Sequence, residues 1–324
     1  MLEKDIFTIK STEDFERIAL KIFQHQYRHT SVYKEFCDHL KVHPSTVKNS
    51  KDIPFLPVQF FKSHRVISEG LSEAITFTSS GTTGSISSKH PVANLDLYKE
   101  SYRRSFEIFY GNPSELVILA LLPSYLEREG SSLIYMVNDL IDQASHSASG
   151  FYLNASEELI EKLKWVEENN QKTILLGVSY ALLDLIDQQK FQLKNTLVME
   201  TGGMKGKRKE LVKTELHEAL KMGFGVPHIH SEYGMTELLS QAYSKGDGVF
   251  VCPPWMKVLT RDTEDALSYT QGTTGGINII DLANLHSCSF IATQDLGKLN
   301  KDESFEILGR FDSSDIRGCN LMIQ

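Results

Sequence analysis

The sequence predicts an α/β fold, a mostly parallel sheet covered by helices, with a smaller β-rich part toward its C-terminal end. Three observations predict it. Between about residues 95 and 231, continuous apolar segments alternate with segments of helical period; strands apolar on both faces belong to a parallel sheet covered on both sides. After Tyr243 the pattern changes to short strands and turns. With 324 residues, 41% of them hydrophobic, the chain is long enough to bury a large core.

Each element follows from its local pattern. Ser11 and Asp14 have capping-box spacing, and Phe15, Ile18, Ala19, Ile22 and Phe23 follow at helical period, which predicts a packing helix. Residues 53–62 are apolar but interrupted by Pro54 and Pro57, which predicts an extended segment lining or buttressing a site. Residues 97–110 predict a helix ending at Gly111, 116–122 a strand stopped by Pro123, and 131–144 and 156–168 helices. Next come a strand at 173–178, a helix at 180–189, a strand at 196–200, a helix at 207–222 closed by Gly223, and a short strand at 227–231. The β-rich part holds strands at 248–252, 255–260, 276–280, 289–293 and 304–308. This divides the chain into an α/β core (1–243) and a β-rich subdomain with a short C-terminal arm (244–324); no Pro/Gly-rich linker sharpens the boundary.

A formal charge of -8 argues against a nucleic-acid surface spread over the molecule. The single dense basic cluster, residues 205–209, reads as a solvated helix start. No basic leader precedes an apolar run and no segment approaches the ~20 apolar residues of a membrane span, so a cytoplasmic protein is expected. The four cysteines, Cys37, Cys252, Cys288 and Cys319, are scattered without metal-ligand or disulfide spacing.

Residues 78–84 (Thr-Ser-Ser-Gly-Thr-Thr-Gly) have the composition of a phosphate loop: glycines let the backbone approach a ligand, while amides and hydroxyls offer donors. A flexible Ser/Gly connector has the same composition. It is not a Walker A motif, because Ile86 stands where the second glycine would be; residues 203–207 have the wrong spacing too. Gly177-Val178-Ser179-Tyr180-Ala181, between strand and helix, approaches the nucleophile elbow of α/β-hydrolases, with a helix N-cap as the plainer reading of Ser179. His228 and His230 stand two apart, as metal ligands on a strand can, but no third ligand has a suggestive spacing; His230 reads better as a site-lining polar residue. The segment 231–237 follows a strand, where ligands sit in open α/β sheets, and its hydroxyl and carboxylate suit phosphate and Mg²⁺.

Taken together and in order, these segments resemble the adenylate-forming superfamily of acyl-CoA synthetases, luciferases and peptide-synthetase adenylation domains. The loop with Ser79, Ser80, Gly81, Thr82, Thr83 and Gly84 resembles its phosphate loop. Tyr233-Gly234-Met235-Thr236-Glu237 resembles the Y-G-x-T-E segment, Thr293 to Gly297 the T-x-D-x-G segment, and Gly309 to Asp312 the G-R-x-D segment. Gly202 and Gly203 resemble the turn that contacts adenine. Within the superfamily, Pro54 to Lys62, Pro123 to Ser132 and Asp315 to Cys319 resemble the acyl-protein synthetase (LuxE) family.

That resemblance implies an ATP-dependent ligase that converts a carboxylic acid, in this family a fatty acid, to an acyl-adenylate and then to a thioester on Cys319. An acyl-accepting reductase or carrier protein, or a small thiol, would take the acyl group next. Thr82, Thr83 and the loop amides would hold the leaving phosphates, Thr236 the α-phosphate, Glu237 the Mg²⁺, Asp295 the ribose hydroxyls, and Arg310 phosphate or ribose. Two departures stand out: Ser87 occupies the usual loop lysine position, with Lys89 two residues on, and twelve residues follow Asp312, without the superfamily's small lid domain. A non-catalytic nucleotide- or acyl-binding subunit is the alternative from another class, and a serine hydrolase through Ser179 a third.

Overall fold

A computed structural model describes residues 2–79, 86–123, 130–154, 156–204, 207–209, 211–270 and 272–311. Chain contacts group into two compact units. One contains residues 1–101, 236–240 and 251–324; the other contains 102–235 and 241–250.

The second unit is the α/β layer predicted from the alternating pattern. Its parallel strands lie in the order Gly150–Tyr152, Val117–Leu121, Thr173–Val178, Thr196–Thr201 and His230–Tyr233, and Ala242–Ser244 adds an antiparallel strand. Val117–Leu121 and Thr173–Val178 are buried at every position, as strands covered on both faces must be. The connections are helices Ser132–Ala144, Glu157–Glu168, Ser179–Gln188 and Lys213–Phe224.

The last helix differs from the expected 207–222. Arg208 bonds Asp184 and Asp187 on the neighbouring helix, which holds residues 207–209 outside the helix, and the helix begins at Lys213. Its left-handed C-cap is Gly225 (φ 67°), not Gly223. Gly223 lies inside the helix, where an added Cβ would come within 2.6 Å of Ile186.

The first unit builds its core on antiparallel strands in the order Tyr269–Thr270, Met256–Arg261, Thr274–Asp281, Phe290–Leu299 and Phe305–Arg310. Leu56–Pro57 pairs in parallel with Phe290–Leu299, and the chain then forms one helical turn, Phe60–Ser63, where an extended run was expected. Helix Thr12–His29 buries Phe15, Ile18, Ala19, Ile22 and Phe23 as its period predicts, and Ser11 Oγ caps Asp14 N. Buried Gln26 donates to the carbonyls of Asn284 and Leu285 and accepts from Ser289 N, tying this helix to the turn after Asp281. A separate antiparallel hairpin joins Ile75–Thr78 to Lys89–Val92.

Candidate functional site

Within the first unit, three of the four motif regions bring polar groups to defined positions. At the base of the hairpin loop, Ser79 N donates to Ser88 O (3.1 Å) and Ser88 N to Ser79 Oγ (2.8 Å), so the loop leaves and re-enters a closed neck. Ser80, Gly81, Thr82, Thr83 and Gly84 lie outside the described residues. Lys89 is exposed, opposite Thr78 in the hairpin.

Ser88 is buried, and Glu237 is itself only 5% exposed. Burial pushes the Glu237 carboxyl up, against the lowering influence of Ser88, a backbone amide and the positive charges of Arg310 and Lys62. Asp295 is buried at the end of a short relay: its amide donates to Thr293 Oγ1 (3.1 Å), and its carboxylate pairs with Arg310 Nε (3.1 Å). Arg310 keeps its side chain 68% exposed, so most of its guanidinium faces water. Arg261, which the sequence did not single out, is buried and donates to the carbonyls of Ile277 and Thr293 and to Asn278 Oδ1. It holds the strand from which Asp295 projects. The expected lining residues Phe55 and Phe61 are core side chains: Phe55 packs edge-on to Phe290, and Phe61 edge-on to His90.

The second unit carries Gly202, Gly203, Tyr233 and Gly234. Gly202 has φ 69°, the left-handed conformation that favours glycine. A Cβ on Gly234 would come within 2.6 Å of Glu232 Oε1, and the Tyr233 ring lies 5.8 Å from that of Phe250.

Beneath these turns lies a polar cluster that sequence reasoning missed. Burial raises the Glu200 carboxyl, but Lys213 at 3.0 Å and bonds from His217 and Ser231 outweigh it and bring it to about 2. Ser179 Oγ donates to the other oxygen of Glu200 at 3.1 Å. Ser179 is therefore a buried residue bound to an ionised carboxylate, and its side chain does not cap the helix either, since Val178 occupies that position. Ser231, His217 and Glu200 do not form a triad: both contacts, at 3.5 Å each, use the same His217 nitrogen, Nε2, whereas a triad histidine uses one nitrogen for serine and the other for the acid.

Glu232 accepts from Thr201 Oγ1 at 2.6 Å. Burial and the Glu200 charge push its carboxyl up to about 7, although part of the side chain still meets solvent. A carboxyl raised in the fold binds its proton more tightly there than in the unfolded chain, so its stability contribution is complete below about 4.5 and lost as pH rises toward about 7. Glu232→Gln should therefore raise stability at pH 8 by on the order of 1–2 kcal/mol, after discounting for solvent access. It should also flatten the pH dependence over that window in urea unfolding; an unchanged slope would show that Glu232 is not protonated in the fold.

An apolar cavity in this unit is lined by Phe106, Ile118, Met136, Leu140, Met199 and Tyr243 among others, with Glu232 at its wall. Its free space, about 10 Å³ for the centre of a water-sized sphere, holds about one water. His230 Nδ1 lies 3.4 Å from Tyr110 Oη, and burial pulls its pKa down to about 4. Among the described residues, no group of three or more His, Cys, Asp or Glu side chains could hold a metal ion, His228 and His230 included. A lone buried carboxylate does not make a protein cage for Mg²⁺. It does fit the mode in which that ion takes one or two carboxylates and completes its shell with water and substrate phosphates. No helix among the described residues is long and apolar enough to cross a membrane.

Comparison with known proteins agrees with this architecture. Residues 8–110 match the family model "Acyl-protein synthetase, LuxE". The chain is 22% identical over 331 aligned positions to the long-chain-fatty-acid–luciferin-component ligase of Vibrio harveyi, covering 94% of this chain and 86% of that one. It is 34% identical over 70 positions to the protein of the same name from Photorhabdus luminescens, 21% of this chain and 60% of that one.

Among solved structures, an open conformation of 2-hydroxyisobutyryl-CoA ligase in complex with 2-HIB-AMP and CoA superposes with a TM-score of 0.68 at 11% identity, covering 94% of this chain and 72% of that one. ATP-bound MatB from Rhodopseudomonas palustris follows at 0.55 and 17%, covering 75% of this chain and 49% of MatB. Those structures share the fold. Residues 8–110 are thus similar to the LuxE acyl-protein synthetase family, and the chain shares the fold of these solved adenylate-forming ligases.

Proposed function

We propose that this chain uses ATP to activate a carboxylic acid, most simply a fatty acid, as an acyl-adenylate, transfers the acyl group to Cys319 as a thioester, and delivers it to a partner protein or a small thiol. One observation carries the reading: the strand leaving the hydroxyl- and glycine-rich loop is tied to the Thr236-Glu237 segment, with His90 Nδ1 2.8 Å from the carbonyl oxygen of Thr236. A segment rich in phosphate donors thus leads into a strand tied to the stretch that carries a buried carboxylate suited to a divalent ion.

In the activation step a carboxylate oxygen of the acid attacks the α-phosphorus, and the bond to the bridging oxygen of the leaving pyrophosphate breaks. Thr82, Thr83 and the loop amides hold the departing phosphates, and Thr236 holds the α-phosphate. Glu237 would bind Mg²⁺, which when present neutralises phosphate charge. Asp295 accepts from the ribose hydroxyls, and the exposed face of Arg310 pairs with phosphate or ribose. Gly202, Gly203, Tyr233 and Gly234 bound the adenine. In the second step the Cys319 thiolate attacks the acyl carbonyl, the thioester C–S bond forms, and AMP leaves with the electron pair of the broken C–O bond.

The names of the curated relatives support a long-chain fatty acid, and the description of the matching family model supports a protein acceptor. The ATP- and acyl-AMP-bound neighbours support ATP as the activating nucleotide. The apolar cavity would have to widen to admit an acyl tail. The test is exchange of labelled pyrophosphate into ATP with Mg²⁺ across a panel of fatty and aromatic acids. Exchange dependent on a long-chain acid is expected. Tight ATP binding with no exchange for any acid would instead favour a non-catalytic nucleotide-binding subunit.

A further inference from the structure

Thr236 and Glu237 are held by their backbone carbonyls. His90, on the strand that leaves the loop, is fully buried, and its Nδ1 lies 2.8 Å from the carbonyl oxygen of Thr236. A carbonyl only accepts, so Nδ1 carries the proton of this contact. On the other side of the ring, Nε2 lies 3.0 Å from Asn284 Oδ1, while Asn284 Nδ2 donates to the carbonyl of Glu237 at 2.8 Å. Asn284 Oδ1 also only accepts, so the neutral ring donates through Nδ1 alone, and ring and amide stand side by side, each donating to one of two consecutive carbonyls. Both partners are at 0% exposure, where an unpaired carbonyl would cost about 1–3 kcal/mol.

The hold continues into the following residues. Asp281 accepts from the amides of Leu239 (2.7 Å) and Ser240 (2.9 Å) and from Ser240 Oγ (2.5 Å). The turn carrying Asn284 is itself pinned by Gln26. Every group in this arrangement belongs to the first unit. The side chains of Thr236 and Glu237 therefore project from a stretch whose carbonyls and following amides are bound from one side, by residues on the loop's exit strand and on the 281–284 turn.

We propose that His90 and Asn284 are positioning residues: together they lock the backbone of Thr236 and Glu237 against the strand Lys89–Val92, so that the Thr236 hydroxyl and the ion-binding Glu237 carboxylate are held in one fixed relation. The proposal rests on the adenylate-forming reading of the site. It differs from a purely structural role by requiring a hydrogen-bond donor at position 90. The Nδ1 donor fixes the carbonyl of Thr236, and the Asn284 amide fixes that of Glu237. An asparagine at position 90 places a donor close to where Nδ1 stands, whereas alanine provides none.

The full-length chain is compared as wild type, His90→Ala, His90→Asn and Asn284→Ala. Hydrogen–deuterium exchange is followed in the peptide spanning 236–240, and pyrophosphate exchange is followed against Mg²⁺ concentration. His90→Ala and Asn284→Ala should speed deuterium uptake in that peptide by about 10-fold or more. They should also raise the half-saturating Mg²⁺ several-fold and lower the exchange rate about 10- to 100-fold at an unchanged KM for the acid. His90→Asn should recover much of both effects. Should His90→Ala fail to fold, Asn284→Ala and His90→Asn still decide the matter.

Wild-type protection of 236–240 in the variants overturns the clamp, as does a half-saturating Mg²⁺ equal to wild type in variants that exchange pyrophosphate. Absence of acid-dependent exchange in the wild type sinks the adenylate-forming reading, and the clamp's part in that reaction with it, whatever the deuterium data show about the backbone.

Discussion

Cys319→Ser is expected to leave acid-dependent exchange of pyrophosphate into ATP at the wild-type rate while abolishing the acyl-enzyme that neutral hydroxylamine cleaves. The two steps use different atoms: activation needs the acid, ATP and the phosphate-holding groups, whereas thioester formation needs a thiolate. A serine hydroxyl ionises far less readily than a thiol, and any oxygen ester it formed would resist neutral hydroxylamine.

The other three cysteines make poor substitutes. Burial pushes the Cys37 thiol up to about 12 and also raises those of Cys252 and Cys288, which suppresses the nucleophilic form. A label that survives in Cys319→Ser would remove this residue from the mechanism. Loss of exchange along with the label would show that the tail contributes to activation itself.

Glu237→Gln is expected to separate activity from stability. Removing the carboxylate proposed to bind Mg²⁺ should lower exchange by roughly 10²–10³-fold, with little change in the KM for the acid. Stability should hold or rise, because burial raises the Glu237 carboxyl and a raised carboxyl contributes progressively less to folding as pH climbs past its unfolded value. Neutral Gln removes that cost and keeps one side-chain oxygen. Thermal unfolding at pH 8 beside the exchange assay checks both halves. Full exchange activity in a folded Glu237→Gln protein would exclude this carboxylate from ion binding.

The fold was largely legible along the chain. The alternation of apolar strands with helical periods between residues 95 and 231, and the change to short strands after Tyr243, correspond to the observed elements, with boundaries shifted by a few residues. One of the larger shifts, the helix expected at 207–222, has a tertiary cause. Lys207 and Arg208 look like good helix residues in isolation, but Arg208 is held by Asp184 and Asp187, more than twenty positions earlier. The left-handed cap likewise falls at Gly225, because Gly223 is needed where the helix packs on Ile186. Ser179 shows the same limit: strand-to-helix spacing suggests an elbow, and only the fold reveals that its hydroxyl is bound to Glu200.

By itself, the sequence determined the order of elements, the α/β class, the low density of positive charge, and the ordered motifs that resemble the adenylate-forming enzymes. Each of these is carried by neighbours in the chain, through periodicity, turn chemistry and fixed spacing. Tertiary structure alone decided which polar groups share a buried environment. His90 meets Thr236 across 146 positions and Asn284 across 194, and Asn284 reaches Glu237 across 47. The physical reason is that a buried donor or acceptor must find a partner wherever the fold supplies one. No local pattern around His90, Asp281 or Lys213 announces which partner that will be.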